Sequence, residues 1–502
     1  MPPSPHNDDV EPLAPYDPVD SNVTEQQQQQ QQQQRQQESG TTYFQTLLLL
    51  VKGYVGPGCL SLPWAFSQVG ITLGCVVVLF FMAWTSYNCW IVLQIKRQHP
   101  SEVNTYPDAG TWAYGPRFGA FVSICICVLQ LAICTVYFSF IGENLLAVAA
   151  GPMSHNGHAL VMTLALPAIL ALSCLASITK MAPFSAAGTL LLAITFALLG
   201  TVMVGEFEDR PSQPLTSIQS LSNLPLAFCA ILYSYEGICL ILPVEAAMRN
   251  RKSFGSVFGV SMTVVAITFC AVASFSVWVF GDVTNGSITA YLLEEKEDHR
   301  NLLVFANTAA SISVLLTYPL QLFPSLELLG PILLSRKEKK RKQRRAAGTN
   351  TEEENKEDAE EQNTILQQTD EQERQPNDND DDYAVQAQEE DDDGLFLDHH
   401  TNNDDNGGIP GDSPLLRLVL VLFTYTLALL VPNVQVLISL AGALAGSSTA
   451  LLIPPLLELQ YTKRHQGRRR VWSYASFLLG FVFMCIGTIS SIADIVEIYS
   501  GN

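Results

Sequence analysis

The chain has 502 residues, of which 48% are hydrophobic and only 15% charged, and its mean hydropathy is +0.19. Two very polar stretches, 1–42 and 335–412, sit inside that average, so the rest is far more apolar than a soluble domain. Runs with no Asp, Glu, Lys or Arg cover 71–95, 119–142 and 158–179, and roughly 20 apolar residues suffice to cross about 30 Å of hydrocarbon. A soluble enzyme, a secreted disulfide scaffold and a nucleic-acid binder are excluded for the bulk of the chain. The pattern is that of an all-α polytopic membrane protein. The net charge of −20 arises elsewhere: 346–412 holds 23 acids against Lys356 and Arg374, and the first 42 residues hold 7 against Arg35. Both are solvated, low-complexity segments, so the acidity says nothing about a cationic substrate.

In chain order, residues 1–42 form a disordered tail with a glutamine run at Gln26–Gln34. The tail has no basic-then-apolar leader, so no signal peptide is expected before the first span. Eleven apolar windows follow, at 43–69, 71–95, 118–149, 159–179, 184–205, 221–248, 256–280, 302–334, 415–431, 434–460 and 471–498. Spans 1–8 thus occupy 43–334, and spans 9–11 lie within 413–502. Between them, 335–412 is a disordered insert, basic and then acidic. With the N-terminus in the cytosol, the inner loops carry 20 Lys and Arg; the outer loops carry only Arg210, Lys296 and Arg300. That asymmetry fixes a cytosolic N-terminus and insert. The basic cluster Arg336–Arg345 reads as an orientation anchor, or alternatively as a contact for anionic lipid head groups.

All 11 cysteines fall within apolar runs and none forms a CxxC pair. They read as small packing residues; neither a metal site nor a cofactor is expected. Asn285-Gly286-Ser287 is an N-glycosylation acceptor in the outer loop after span 7. Glu245, Glu327, Glu458, Asp494 and Glu497 lie near span ends, where solvated placements are the ordinary expectation.

Two spans cannot be continuous helices. Span 1 contains Lys52-Gly53-Tyr54-Val55-Gly56-Pro57-Gly58, in which proline removes a backbone donor and the glycines permit non-helical torsions. Span 6 contains Tyr233-Ser234-Tyr235-Glu236-Gly237, which sets an ionisable carboxyl between two apolar halves. Small residues that merely let helices pack closely are the bland alternative. However, breaks five spans apart place spans 1–5 and 6–10 in inverted repeats, and paired breaks of this kind point to a transporter's binding site.

At these residues a family becomes recognisable. The segment VKGYVGPGCLSLPWAFSQVG at 51–70 resembles the first span of the amino acid/auxin permease family, nearest to proton-coupled amino acid transporters and their vacuolar relatives. Collinear matches occur at 136–145 (VYFSFIGENL), 232–248 (LYSYEGICLILPVEAAM), 317–329 (TYPLQLFPSLELL) and 431–459 (VPNVQVLISLAGALAGSSTALLIPPLLEL). The resemblance implies eleven transmembrane helices, a leucine-transporter-like 5+5 inverted repeat with helices 1 and 6 broken, and symport of small neutral amino acids with protons. Animal proton-coupled members carry a histidine one turn before the Lys-Gly pair. Here that position is Leu49, so a histidine-based proton step does not transfer.

An amino acid zwitterion needs both charges met away from water. Its carboxylate suits free N–H groups at a half-helix N-terminus, which assigns substrate binding to Gly53, Gly56 and Gly58. Its ammonium suits unwound carbonyls around Ser234, Tyr235 and Gly237, and Tyr137 and Tyr318 are candidates to close the pocket. Glu236 is the first choice for the coupling proton, because an ionisable group inside the membrane marks a functional pathway; the competing reading pairs it with Lys52. Glu143 is the second proton candidate, or a polar helix contact alongside Asn144. The expected partners are an amino acid and membrane lipid, with no nucleic acid and no identifiable protein partner. A vacuolar or lysosomal membrane is favoured over the plasma membrane. An amino acid sensor signalling through the insert is the alternative to a transporter. No nucleophile–base pair or phosphate loop indicates an enzyme.

Overall fold

The computed structural model describes residues 41–149, 155–174, 178–208, 218–295, 299–330, 414–431, 433–462 and 467–500. The N-terminal tail and the insert lie outside them. The described chain is all helical, and its single bridge pairs Thr41 with Met248.

Helix α1 (Tyr43–Tyr54) opens on a capping box between Thr42 and Gln45 and ends where Val55 turns extended. Pro57 then starts α2 (Pro57–Val69) at the first helical position, where its missing N–H would have no intrahelical partner anyway. The two meet at 53°, as the Gly-Pro-Gly sequence anticipates. Then come α3 (Ile71–Gln98), α4 (Tyr106–Tyr114), α5 (Pro116–Val148), α6 (His155–Ser173) and α7 (Ile178–Gly205). The second break separates α8 (Leu224–Ser234) from α9 (Ile238–Ala247). Beyond it lie α10 (Phe254–Phe280), α11 (Ile288–Glu295) and α12 (Arg300–Gly330). After the insert come α13 (Pro414–Leu430), α14 (Val434–Leu440), a π-helical segment (Ala441–Leu452), α15 (Ile453–Thr462) and α16 (Gly467–Ser500).

Among the described residues, eight helices are long and apolar enough to cross a membrane, or nine when α1 and α2 count as one span. The expected spans four and nine coincide with α6 and α13, whose apolar stretches fall just short of spanning length. Two loop helices, α4 and α11, were not anticipated from the sequence. Each is short and amphipathic rather than membrane-length, so a spanning window passes over it.

Burial orders the bundle. The apolar window of Val434–Tyr461 is 78% buried and that of Arg470–Ser500 only 22%, so the first runs through the centre and the second along the rim. Helix α2 is buried on almost every side, as is α8. The core therefore gathers around the two broken spans and the π-helical segment, which has a local cause. A Cβ at Gly442 would collide with the Cys229 carbonyl oxygen of α8, so the backbones touch there. Ser447 reaches back five residues to the Gly442 carbonyl. Asn88 Nδ2 donates to Ala450 O at 2.6 Å and Tyr106 Oη to Thr449 O at 2.8 Å. Neighbouring side chains thus satisfy carbonyls that a widened turn leaves exposed.

Candidate functional site

The two breaks face each other. At Gly58 an added Cβ would stand 2.9 Å from Ser234 Oγ and 3.2 Å from its Cα, so the start of α2 lies against the end of α8. At Gly237 it would stand 2.6 Å from the Tyr54 ring, so the end of α1 lies against the start of α9. Gly53 is covered by Leu240. Gly56 differs from all three: nothing lies within 4 Å of where its side chain would be. The first turn of α2 has no side-chain cap, and its N-terminal N–H groups carry the positive end of the helix dipole. Open space beside an uncapped helix start is what a ligand carboxylate requires.

Glu236 occupies the link between the half-helices. Its Oε1 accepts a hydrogen bond from Thr449 Oγ1 at 3.1 Å, while Oε2 is buried with no partner. Oε2 points at Gly446, where a Cβ would be 3.3 Å away. The expected pairing with Lys52 is not made: no cation lies within ion-pair reach of the carboxylate among the described residues. Lys52 sits half-buried in the last turn of α1, before the chain bends towards Glu236. Thr449 and Gly446 do not stand out in the sequence, where AGALAGSSTALL belongs to a segment matched as a whole to the family, with no residue of it singled out.

The aromatic candidates behave differently from expectation. Tyr318 is fully buried, shares a 2.7 Å hydrogen bond with Thr424 of α13 and packs edge-on against Phe138. That ring is committed to helix packing. Tyr137 lies against Thr317 and Gln321 of α12. Tyr235 turns its ring onto Phe269 of α10 at 5.2 Å, leaving only its backbone at the break. Ser234 Oγ donates back to Ala230 O at 3.1 Å; its free lone pair remains an acceptor.

Glu143 lies near the C-terminal end of α5. Its Oε1 accepts from the backbone N–H of Ser287 at 3.2 Å. Asn144 Oδ1 accepts from Ser287 Oγ at 3.0 Å and Thr289 Oγ1 at 2.6 Å. Together they pin the loop before α11, which contains the glycosylation motif. Ser287 is fully buried and Asn285 Nδ2 donates to Glu294 at 2.9 Å, so this motif is folded into the protein.

Two acids expected to be solvated are not. Glu245 lies 3.8 Å from both Lys96 and Arg97 and is 4% exposed. Glu458, equally buried, accepts from Tyr87 Oη at 2.6 Å and Ser473 Oγ at 2.7 Å. Each ties span 2 to another span, since α3 contributes Lys96, Arg97 and Tyr87. Helix-end position in a sequence does not reveal a partner on a distant segment. No group of metal-binding side chains occurs among the described residues.

An all-helical bundle with two discontinuous spans opposed at an uncapped helix start, and a carboxyl in one break, has the form of a membrane carrier. Comparison with known proteins is specific about the kind. The family described as transmembrane amino acid transporter protein matches residues 39–496. The chain belongs to that family. It is 27% identical over 299 residues to vacuolar amino acid transporter 3 of Schizosaccharomyces pombe, covering 58% of this chain and 44% of the relative. It is 26% identical to vacuolar amino acid transporter 4 of Saccharomyces cerevisiae, covering 57% and 40%. It is 22% identical to amino acid transporter AVT3A of Arabidopsis thaliana, covering 56% and 67%. The matched part thus spans less than half of the fungal relatives. Among solved structures, MhsT in complex with L-phenylalanine aligns over 89% of this chain and 98% of its own, with 10% identity and a TM-score of 0.44.

Proposed function

We propose that the protein is a secondary active transporter that moves small neutral amino acids together with protons by alternating access. The observation that carries this reading is the meeting of the two breaks, Gly58 on Ser234 and Tyr54 on Gly237, with open space beside Gly56. The substrate carboxylate takes the first turn of α2, and its ammonium takes the carbonyls of the Ser234–Gly237 link. Glu236 carries the proton next to that ammonium. The spans number eleven, the first ten arranged as two inverted sets of five, with the N-terminus in the cytosol. The membrane is that of a vacuole or lysosome, in keeping with the names of the fungal relatives.

The test is uptake of each of the twenty amino acids into vesicles containing the purified full chain, at two external pH values. Accumulation of small neutral amino acids that rises with an inward proton gradient is expected. Binding without flux of any amino acid would overturn the transporter reading in favour of a sensor acting through the insert.

A further inference from the structure

We propose that Thr449 is the positioning residue for the proton on Glu236, its hydroxyl turning between that carboxyl and the carbonyls of its own helix according to whether the proton is present. The inference rests on the proton-carrying role proposed for Glu236 and adds the element that ties the proton to conformation.

The geometry forces a choice on one hydrogen. Thr449 Oγ1 lies 3.1 Å from Glu236 Oε1, 2.9 Å from Ala445 O and 3.2 Å from Gly446 O. A hydroxyl carries one hydrogen and two lone pairs. When Glu236 is ionised, all three neighbours are acceptors, and a bond to a carboxylate is roughly twice as strong as one to a neutral carbonyl. The hydrogen then goes to Oε1. When Glu236 is protonated, its own O–H donates to Thr449 Oγ1, and the threonine hydrogen turns to Ala445 O. The result is a continuous chain from carboxyl to hydroxyl to carbonyl. No O–H bond of Thr449 breaks in either state; the transported proton stays on Glu236 until it leaves to water.

The surroundings leave Thr449 without a substitute. The titratable groups that face Glu236 are Tyr54 of α1, Cys89 of α3, Tyr106 of α4, Tyr233 of α8 and Cys239 of α9. All are tyrosine or cysteine side chains and none is a basic residue, and Oε2 has no hydrogen-bond partner. Thr449 is therefore the sole donor to the carboxylate among the described residues. Its place is fixed by its neighbours: it is fully buried, its carbonyl accepts from Tyr106 Oη, and that of the next residue accepts from Asn88 Nδ2. Glu236, by contrast, sits on the irregular link of span 6. Any movement of that link away from span 10 removes the carboxylate from its only donor. The ionised form is supported in the arrangement seen here, and an arrangement with the link displaced favours the proton-bearing form.

The experiment compares Thr449→Val, Thr449→Ser, Glu236→Gln and the Glu236→Gln/Thr449→Val double variant in vesicles, using an equimolar labelled mixture of the twenty amino acids. Accumulation driven by pH alone and exchange without a gradient are both read. Thr449→Val keeps the shape and loses the hydroxyl, so pH-driven accumulation should fall about tenfold, with exchange reduced far less. Thr449→Ser should restore accumulation, and the double variant should be no worse than Glu236→Gln alone, as for two residues acting in one step. Wild-type accumulation by Thr449→Val overturns the inference. So does equal loss of exchange and accumulation in both the valine and the serine variants, which marks a packing role. If Glu236→Gln itself accumulates substrate under a pH gradient, the proton assignment fails. If Glu236→Gln loses accumulation while Thr449→Val keeps it, only the role of Thr449 fails.

Discussion

The ring of Tyr54 closes on Gly237 so tightly that a side chain there would stand 2.6 Å from Cε1 and 2.7 Å from Cζ. Tyr54 ends the first half of span 1, and Gly237 precedes the second half of span 6. The two half-helices are thereby joined, and a backbone bond from Thr41 N to Ala247 O joins their far ends. Gly237→Ala forces a methyl into the ring and should cost about 1–3 kcal/mol by overpacking. Thermal unfolding in detergent measures it. The double variant Tyr54→Ala/Gly237→Ala should unfold at a higher temperature than additivity of the two single changes allows. Additive losses would show that the contact does not hold the halves together.

Gly56 and Gly58 should separate cleanly although only two positions apart. Gly56 faces open space, so Gly56→Val folds normally and abolishes amino acid binding, because the branched side chain fills the place assigned to the substrate carboxylate. Gly58 faces Ser234 at 2.9 Å, so Gly58→Ala loses stability by about 1–3 kcal/mol through overpacking before any effect on binding is read. Fluorescence-detected size exclusion, followed by a binding measurement, distinguishes them. Near-normal uptake by well-expressed Gly56→Val would remove Gly56 from the site.

Which parts of this site a sequence reveals follows from how local each signal is. Gly-Pro-Gly and Glu-Gly inside apolar windows declare broken helices, because a proline and a lone carboxyl conflict with a continuous span wherever the chain folds. The partner of Glu236 is different in kind. Thr449 lies 213 positions away in a run of small residues, and only the close approach of Gly442 to Cys229 makes that run π-helical. Tyr318 is a sequence candidate to close the pocket. Its hydroxyl pairs with Thr424, across the insert in sequence, a pairing no single window contains. Glu245 and Glu458 were misjudged for the same reason, since their partners lie on span 2 and, for Glu458, also span 11.

The Glu245 cluster yields a prediction about stability rather than transport. Glu245 answers two cations, Lys96 and Arg97, of which Lys96 is itself buried. Glu245→Ala leaves Lys96 only the Leu242 carbonyl and Arg97 the Arg251 carbonyl and the Trp90 face. Removing the carboxylate from a buried cation costs up to about 3 kcal/mol here, less than for a fully enclosed pair because Arg97 is partly exposed. Lys96→Met in the same background should recover part of the loss. Unfolding temperature is the measurement, and a Glu245→Ala protein as stable as wild type would mean that solvent compensates the cations.

The insert should be dispensable for flux. Residues 346–405 are dominated by acids with almost no apolar clusters, a composition that cannot bury a core. Deleting them should leave vesicle transport intact. Loss of flux in a correctly inserted deletion would instead give the segment a gating or sensing role.

The proton assignment rests on where the two buried carboxyls stand. Glu236 lies in the break of span 6 beside the proposed ammonium site, with Thr449 as its donor and one oxygen unpartnered. Glu143 lies near the end of α5 and receives the Ser287 N–H, in a cluster that holds the loop before α11. A proton carrier must exchange one ligand for another as the site changes its exposure, and the orphan oxygen of Glu236 is placed for that. A latch must keep its partner, and Glu143 has one. Glu236→Gln fixes the proton-bearing form in place, so exchange of one amino acid for another should survive while accumulation driven by pH alone fails. Glu143→Gln keeps an acceptor for Ser287 and should accumulate substrate under the same gradient within about threefold of wild type, the cost of one altered hydrogen bond at the loop. Both variants are compared in the same vesicles with the same labelled mixture. If Glu236→Gln still concentrates amino acids and Glu143→Gln does not, the roles are reversed, and the proton enters at the outer end of span 3.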